Sequence, residues 1–162
     1  MAIHKLDLDE FDEIDYSLLA IHTPLDDFRL AFLINQKLLI NLSKSEKEIQ
    51  IHIKEGERKF SKFTFYDSEN EVTWNLIQNK DEIIEQKKNN NLGLFSGIAI
   101  EISKKVFLLP EFKKVDYFLK IENNDTYFNL LTIQNLLKTI ETISTVYAID
   151  MDQIKSKNNL IF

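Results

Sequence analysis

From Ile49 to Ile53 apolar and polar residues alternate without a break, which predicts a strand sending Ile49, Ile51 and Ile53 to a core and Gln50 and His52 to solvent. Tyr16 to Ile21 is more continuously apolar, at Leu18, Leu19 and Ile21, as a central strand would be. Thr23-Pro24-Leu25-Asp26 then supplies a capping hydroxyl, a proline and an acid in the order that starts a helix, predicted from Leu25 to about Leu38. Phe28, Leu30, Ala31, Phe32, Leu33 and Ile34 exceed one stripe, so that helix is expected to be covered on more than one side.

Arg58 to Asp67 and Val72 to Gln78 read as further strands, with turn signals at Glu55-Gly56 and from Asp67 to Asn70. Residues 79–91 are polar and end in three Asn, the composition of a surface loop. Leu94 to Ile102 and Val106 to Leu109 read as extended, stopped by Pro110. Val115, Tyr117, Leu119 and Ile121 alternate with Asp116, Phe118, Lys120 and Glu122, a half-buried strand with Phe118 as an exception on its wet face. Leu130, Ile133, Leu136, Leu137 and Ile140 recur at helical spacing, predicting a second helix from Thr126 to Glu141 and a return strand from Ile143 to Ile149. If the strands flanking this helix are parallel neighbours, the crossover must be right-handed.

These elements predict an α+β fold, a mostly antiparallel sheet of about six or seven strands with two helices packed on one face. The 162 residues read as a single domain with an acidic lead over residues 1–15 and an apolar tail over 160–162. Leu160, Ile161 and Phe162 are expected to dock, with the broadly apolar first helix as the expected receiver.

Composition narrows the classes. A hydrophobic fraction of 44% with 12 Phe supports a core without staples, and the absence of Cys removes disulfides, thiolate metal sites and a cysteine nucleophile. The longest apolar run, Leu30 to Ile34, is far short of the roughly 20 residues a membrane helix needs. The acidic start lacks a secretory pattern, so no membrane association and a cytoplasmic location are expected. A net charge of -6 makes nucleic acid an unlikely partner by overall electrostatics. Lys104, Lys105, Lys113, Lys114 and Lys120 nevertheless form a basic stretch, suited to an acidic protein partner or to the chain's own acidic lead.

Chemical motifs are sparse. His4, His22 and His52 have no ligand spacing, so no metal is expected; Gly56, Gly93 and Gly97 compose no phosphate loop, and no cofactor is expected. Ser96 lies between misplaced glycines for a nucleophile elbow. Arg29 reads as an ion pair with Asp26 three residues before it, more than as an anion clamp. Glu111 and Asp116 are a possible carboxylate pair, but their placement on a turn and a strand favours structure over catalysis. Tyr117, Phe118, Tyr127 and Phe128 beside lysines suggest a stacking surface for single strands as a third reading.

Leu109-Pro110-Glu111-Phe112-Lys113-Lys114-Val115-Asp116-Tyr117 resembles the signature of the IPExxxVDY family of small bacterial proteins, with Leu109 in place of Ile. The stretch at 11–38 and the ending at 155–162 are also similar to that family. The resemblance implies no activity, cofactor or catalytic residue. Pro110, Glu111, Lys113, Lys114, Val115, Asp116 and Tyr117 are thus the candidate interaction residues, on a turn that starts a strand. The reading that follows is a non-catalytic protein-interaction module, with homo-oligomerisation open; a small enzyme with a pocket near Pro110–Tyr117 is the alternative, and an RNA-associated protein the third.

Overall fold

The computed structural model describes residues 16–88, 93, 99–122 and 129–162. A six-stranded sheet is built from β1 (Tyr16–His22), β2 (Ser43–Lys44), β5 (Lys62–Asp67), β6 (Val72–Gln78), β9 (Tyr117–Glu122) and β10 (Thr145–Ala148). Its order is β10-β1-β9-β6-β5-β2, and every neighbouring pair is antiparallel. Two ribbons complete the strands: β3 (Ile49–Ile53) with β4 (Gly56–Phe60), and β7 (Lys80–Lys88) with β8 (Ala99–Phe107). The fold is α+β, with helices α1 (Asp27–Leu38) and α2 (Leu130–Lys138).

Alternation along the central strands sorts side chains into two cores. Leu19, Ile21, Leu76, Leu119 and Ile121 point to the face where Leu30 and Ile34 of α1 and Ile133 and Leu137 of α2 pack. Both helices therefore cover one face. Leu18, Ala20, Ile77 and Phe118 point the other way, into a core closed by Ile49, Phe60, Ile83 and Val106 of the ribbons and by Ile154 and Leu160 of the C-terminal segment. The sheet is sandwiched, and β9 lies at its centre between β1 and β6.

That second layer corrects the one-sided reading of β9. Phe118 is fully buried and Lys120 nearly so, because what alternation marks as a wet face is roofed by ribbons and tail. The strand begins at Tyr117; Val115 is buried in the preceding turn. β10 does not adjoin β9. Both are antiparallel to β1 and lie on either side of it, so α2 bridges two strands that are parallel but not neighbours.

Residues 80–88 of the expected loop form β7, while 89–91 lie outside the described residues. The ribbon buries Ile83 and Val106 near its base and leaves Ile84, Ile100 and Ile102 exposed, so no buried stripe marks it in the sequence. Its partner is likewise one strand, Ala99–Phe107, where two extended pieces are expected; residues 94–98 lie outside the described set. The stretch from Arg58 to Asp67 is two strands that part at Ser61 and serve different sheets. Between β3 and β4, Gly56 has φ 116, a conformation that only glycine adopts readily.

At α1 the cap is Asp26, whose side chain accepts from Arg29 N; Thr23 lies before the helix and donates its hydroxyl to the Thr142 carbonyl. Nor is α1 covered all round: Phe28 and Phe32 are 62% and 60% exposed. For α2 the cap is Asn129, and the helix ends at Lys138.

Candidate functional site

Pro110, Glu111 and Phe112 form a single 3-10 turn between β8 and β9. Proline at its first position loses nothing, since its missing N–H has no partner there. The turn is braced by Asn79, the fully buried pivot at which the chain leaves β6 for β7. Asn79 Nδ2 donates to the carbonyls of Phe112 (2.9 Å) and Val115 (2.8 Å), and Oδ1 accepts from Leu109 N at 2.9 Å. Its backbone N–H donates to the Asp116 carbonyl, and its carbonyl accepts from Leu108 N. One amide thus satisfies a turn that would otherwise bury unpaired backbone groups. Asn79 is missed in the sequence, where it reads as the start of a polar loop.

Glu111, Asp116 and Tyr117 are each committed to hydrogen bonds with distant parts of the same chain. Glu111 Oε1 accepts from the backbone N–H of Lys155 and of Ser156, both at 2.8 Å, and Oε2 accepts from the Ser156 hydroxyl at 3.0 Å. Burial alone would raise its pKa, but these hydrogen bonds outweigh burial and hold the carboxyl below the ordinary value of 4.5. Asp116 Oδ2 accepts from Thr23 N at 2.9 Å and Oδ1 from Lys80 Nζ at 2.6 Å. The Tyr117 hydroxyl donates to the Leu25 carbonyl at 2.8 Å, and burial first, then Asp27 and Asp116, push its pKa well above the ordinary 10.0. Glu111 therefore fastens the C-terminal segment while Asp116 and Tyr117 fasten the link between β1 and α1. The two carboxylates do not converge on a common point where a substrate would sit.

Of the basic stretch, Lys105, Lys113 and Lys114 are exposed and form no ion pair among the described residues. Lys104 pairs with Glu55. Lys120 leaves the rim altogether: it is buried, pairs with Glu122, donates to the Leu160 carbonyl at 2.8 Å and lies against the rings of Tyr16 and Phe162. A buried ammonium needs such partners, and the chain end supplies two of them.

The tail docks away from α1. Leu160 is 1% exposed and packs in the ribbon-side core, on the opposite face of the sheet, while Ile161 is 75% exposed and Phe162 lies over Lys62 and Lys120. Asn159 adds a hydrogen bond to the Leu108 carbonyl.

His22 contacts the Tyr147 hydroxyl at 3.4 Å, His52 is exposed, and His4 lies outside the described residues. Among the described residues no three His, Asp or Glu side chains gather as metal ligands. Arg29 pairs with Asp26 at 3.9 Å on an exposed surface. Tyr117 and Phe118 are buried and cannot stack on bases; Tyr127 and Phe128 lie outside the described residues. No helix among the described residues is long and apolar enough to cross a membrane.

One cluster with nucleophile-like membership escapes the sequence. Ser61 Oγ donates to Asp27 Oδ2 at 2.5 Å and also meets Lys44 Nζ, which lies 3.1 Å from the same carboxylate. Burial opposes ionisation of Asp27, but the Ser61 and Lys44 hydrogen bonds overcome it and hold its pKa below the ordinary 3.8. An ammonium that donates to an ionised Asp is no base for the serine. The cluster pins α1, β2 and the β4–β5 break together.

A groove of about 310 Å³ touches Pro110 and is otherwise walled by Ile49 to Ile53, Phe107, Asn158, Asn159 and Ile161. Among its described lining the one titratable side chain is His52. No family model matches the chain, and neither curated proteins nor solved structures gave a match.

Proposed function

We propose that this chain is a non-catalytic protein-interaction module that presents Lys113 and Lys114 to an acidic surface on a partner protein, and that it is a cytoplasmic member of the IPExxxVDY proteins. The observation that carries this reading is the use made of the motif's reactive groups. Glu111, Asp116 and Tyr117 are each hydrogen-bonded to backbone of their own chain, while the two lysines between them are exposed on a turn braced by a buried asparagine. A rigid turn that spends its acids internally and shows its cations outward is suited to recognition. An enzyme would need a cleft where such groups converge, and the described lining of the groove at Pro110 offers one histidine and no carboxylate.

Single surface ion pairs contribute only about 0–1 kcal/mol and are screened over roughly 8 Å at physiological salt, so Lys105, Lys113 and Lys114 must act together. The test is affinity capture from the native cell with the wild-type chain and with the double variant Lys113→Glu, Lys114→Glu. Loss of a specific partner from the variant supports the reading. A variant that stays folded and recovers the same partners removes it. Rescue of an isolated acidic fragment, residues 1–15, at the same lysines would make the chain's own lead the acidic surface.

A further inference from the structure

Where α1 ends, where α2 begins and where β5 turns into β6, the molecule holds a cleft of about 540 Å³, within the size range of small-ligand sites. Its floor is apolar: Trp74 and Ile133 belong to the helix-side core and line the cleft from below. Leu38, Leu39 and Ile40 after α1 and Leu136 on α2 add apolar wall, beside the polar Asn129 and Thr132. Leu39 follows the last residue of α1 in the left-handed region, at φ 54, where a large side chain is strained. That geometry leaves Leu39 90% exposed beside the cleft, and Leu136 of α2 is also exposed there. Two leucines thus stand at the mouth of a hollow that the fold does not fill with its own described residues.

The polar end of the cleft is negative. Asp67 and Glu69 of the β5–β6 turn line it, no Lys or Arg is among its described lining, and neither carboxylate has an ion pair among the described residues. Asp67 accepts from the Asn70 side chain and from the N–H groups of Glu69 and Asn70, which hold it ionised. The C-terminal end of α1 adds the partial negative charge of its last carbonyls. At α2 the opposing positive end is already occupied, since Asn129 caps Leu131 N with its own side chain.

We propose that this cleft binds a small amphipathic organic cation, a primary alkylammonium, with its chain on Trp74 and Ile133 between Leu39 and Leu136 and its ammonium at Asp67 and Glu69. The site is independent of the lysine turn and does not rest on the interaction reading.

Trp74 is the only tryptophan of the chain, so its emission reports directly on the floor. The probes are n-octylammonium, octanoate and 1-octanol, titrated into the full chain at neutral pH and low salt, with the thermal midpoint recorded alongside. The expected result is a saturable emission change with octylammonium in the millimolar range or tighter, with a rise in midpoint as for any ligand of the native state. Octanoate should bind far more weakly. Glu69→Gln, which leaves the Asp67 hydrogen bonds in place, should weaken octylammonium by about fivefold, the worth of one partly screened charge pair, with the unliganded midpoint unchanged. No saturation, a midpoint that falls as the amine is added, octanoate binding as well as octylammonium, or a Glu69→Gln variant with unaltered affinity would each overturn the proposal.

Discussion

The carboxylate of Glu111 grips Ser156 at two points, taking its backbone N–H at 2.8 Å on Oε1 and its hydroxyl at 3.0 Å on Oε2. Forty-five residues separate the two in sequence. The contact makes the motif an anchor for the chain's end, and the two are expected to be stable or unstable together.

Glu111→Gln tests that contact. The amide keeps one acceptor and loses the charge, so the variant should lose about 1 kcal/mol, a charge-assisted bond discounted for partial exposure. The pH dependence has a definite sign. A carboxyl whose folded pKa lies below its unfolded value contributes stability above the unfolded pKa and loses it as pH falls through the folded one. Wild type should therefore lose this increment as pH drops below about 4.5, and the gap between wild type and variant in urea midpoints should close there. A gap that persists in acid would show that the charge of Glu111 is not what matters.

Asn79→Ala should be among the costliest single changes in the protein. It leaves the Leu109 N–H and the Val115 carbonyl unpaired in a buried site, while the Phe112 carbonyl loses Asn79 but keeps the Val115 N–H. Each of the two orphaned groups costs about 1–3 kcal/mol, so a loss of at least about 2 kcal/mol is expected from chemical denaturation. Asn79→Asp should also destabilise, because an ionised carboxylate has no donor for the two carbonyls.

Tyr117→Phe removes one hydrogen bond to the Leu25 carbonyl and should cost about 0.5–1.5 kcal/mol. In wild type the folded pKa is raised, so the neutral phenol stabilises the fold below pH 10 and this support is lost as pH rises further. Absorbance titration should find one tyrosine that ionises only as the protein unfolds, and that step should be missing from the variant.

The tail divides sharply by burial. Leu160→Ala should cost about 2–4 kcal/mol by opening a cavity in the ribbon-side core, whereas Ile161→Ala, at 75% exposure, should stay within about 0.5 kcal/mol. Thermal melts of the two single variants make the comparison. Equal effects would contradict the docking seen here.

Which parts of this were readable in the sequence follows from how burial writes itself into a pattern. β1 is visible as a continuous apolar run, α1 from its start signals and apolar length, and α2 from apolar residues at helical spacing, and the α+β class follows from them together with the other strands. β9 shows the limit: alternation identifies the strand but assigns Phe118 and Lys120 to water, because no local signal says that ribbons and a tail from distant sequence close over that face. β7 fails for the opposite reason, since a ribbon held mainly by its own cross-strand bonds and buried only near its base needs no apolar period. The helix cap moves by three residues, from Thr23 to Asp26, because both are good caps and the Thr23 N–H is already taken by Asp116. At the motif, the turn and strand were legible from Pro110 and the alternation after it. Asn79 was not, because a buried asparagine is recognised by the backbone groups around it and not by its neighbours in sequence.

If the motif's acids hold the fold while its lysines meet a partner, as proposed above, the two roles separate when thermal midpoint and partner recovery are measured together for two variants. Lys113→Glu, Lys114→Glu is expected to keep the wild-type midpoint and lose the partner, while Glu111→Gln is expected to lower the midpoint and, below it, retain the partner. A lysine variant that binds as wild type does, or a purified wild-type chain whose turnover of a substrate disappears in Glu111→Gln at unchanged stability, would contradict that separation of roles.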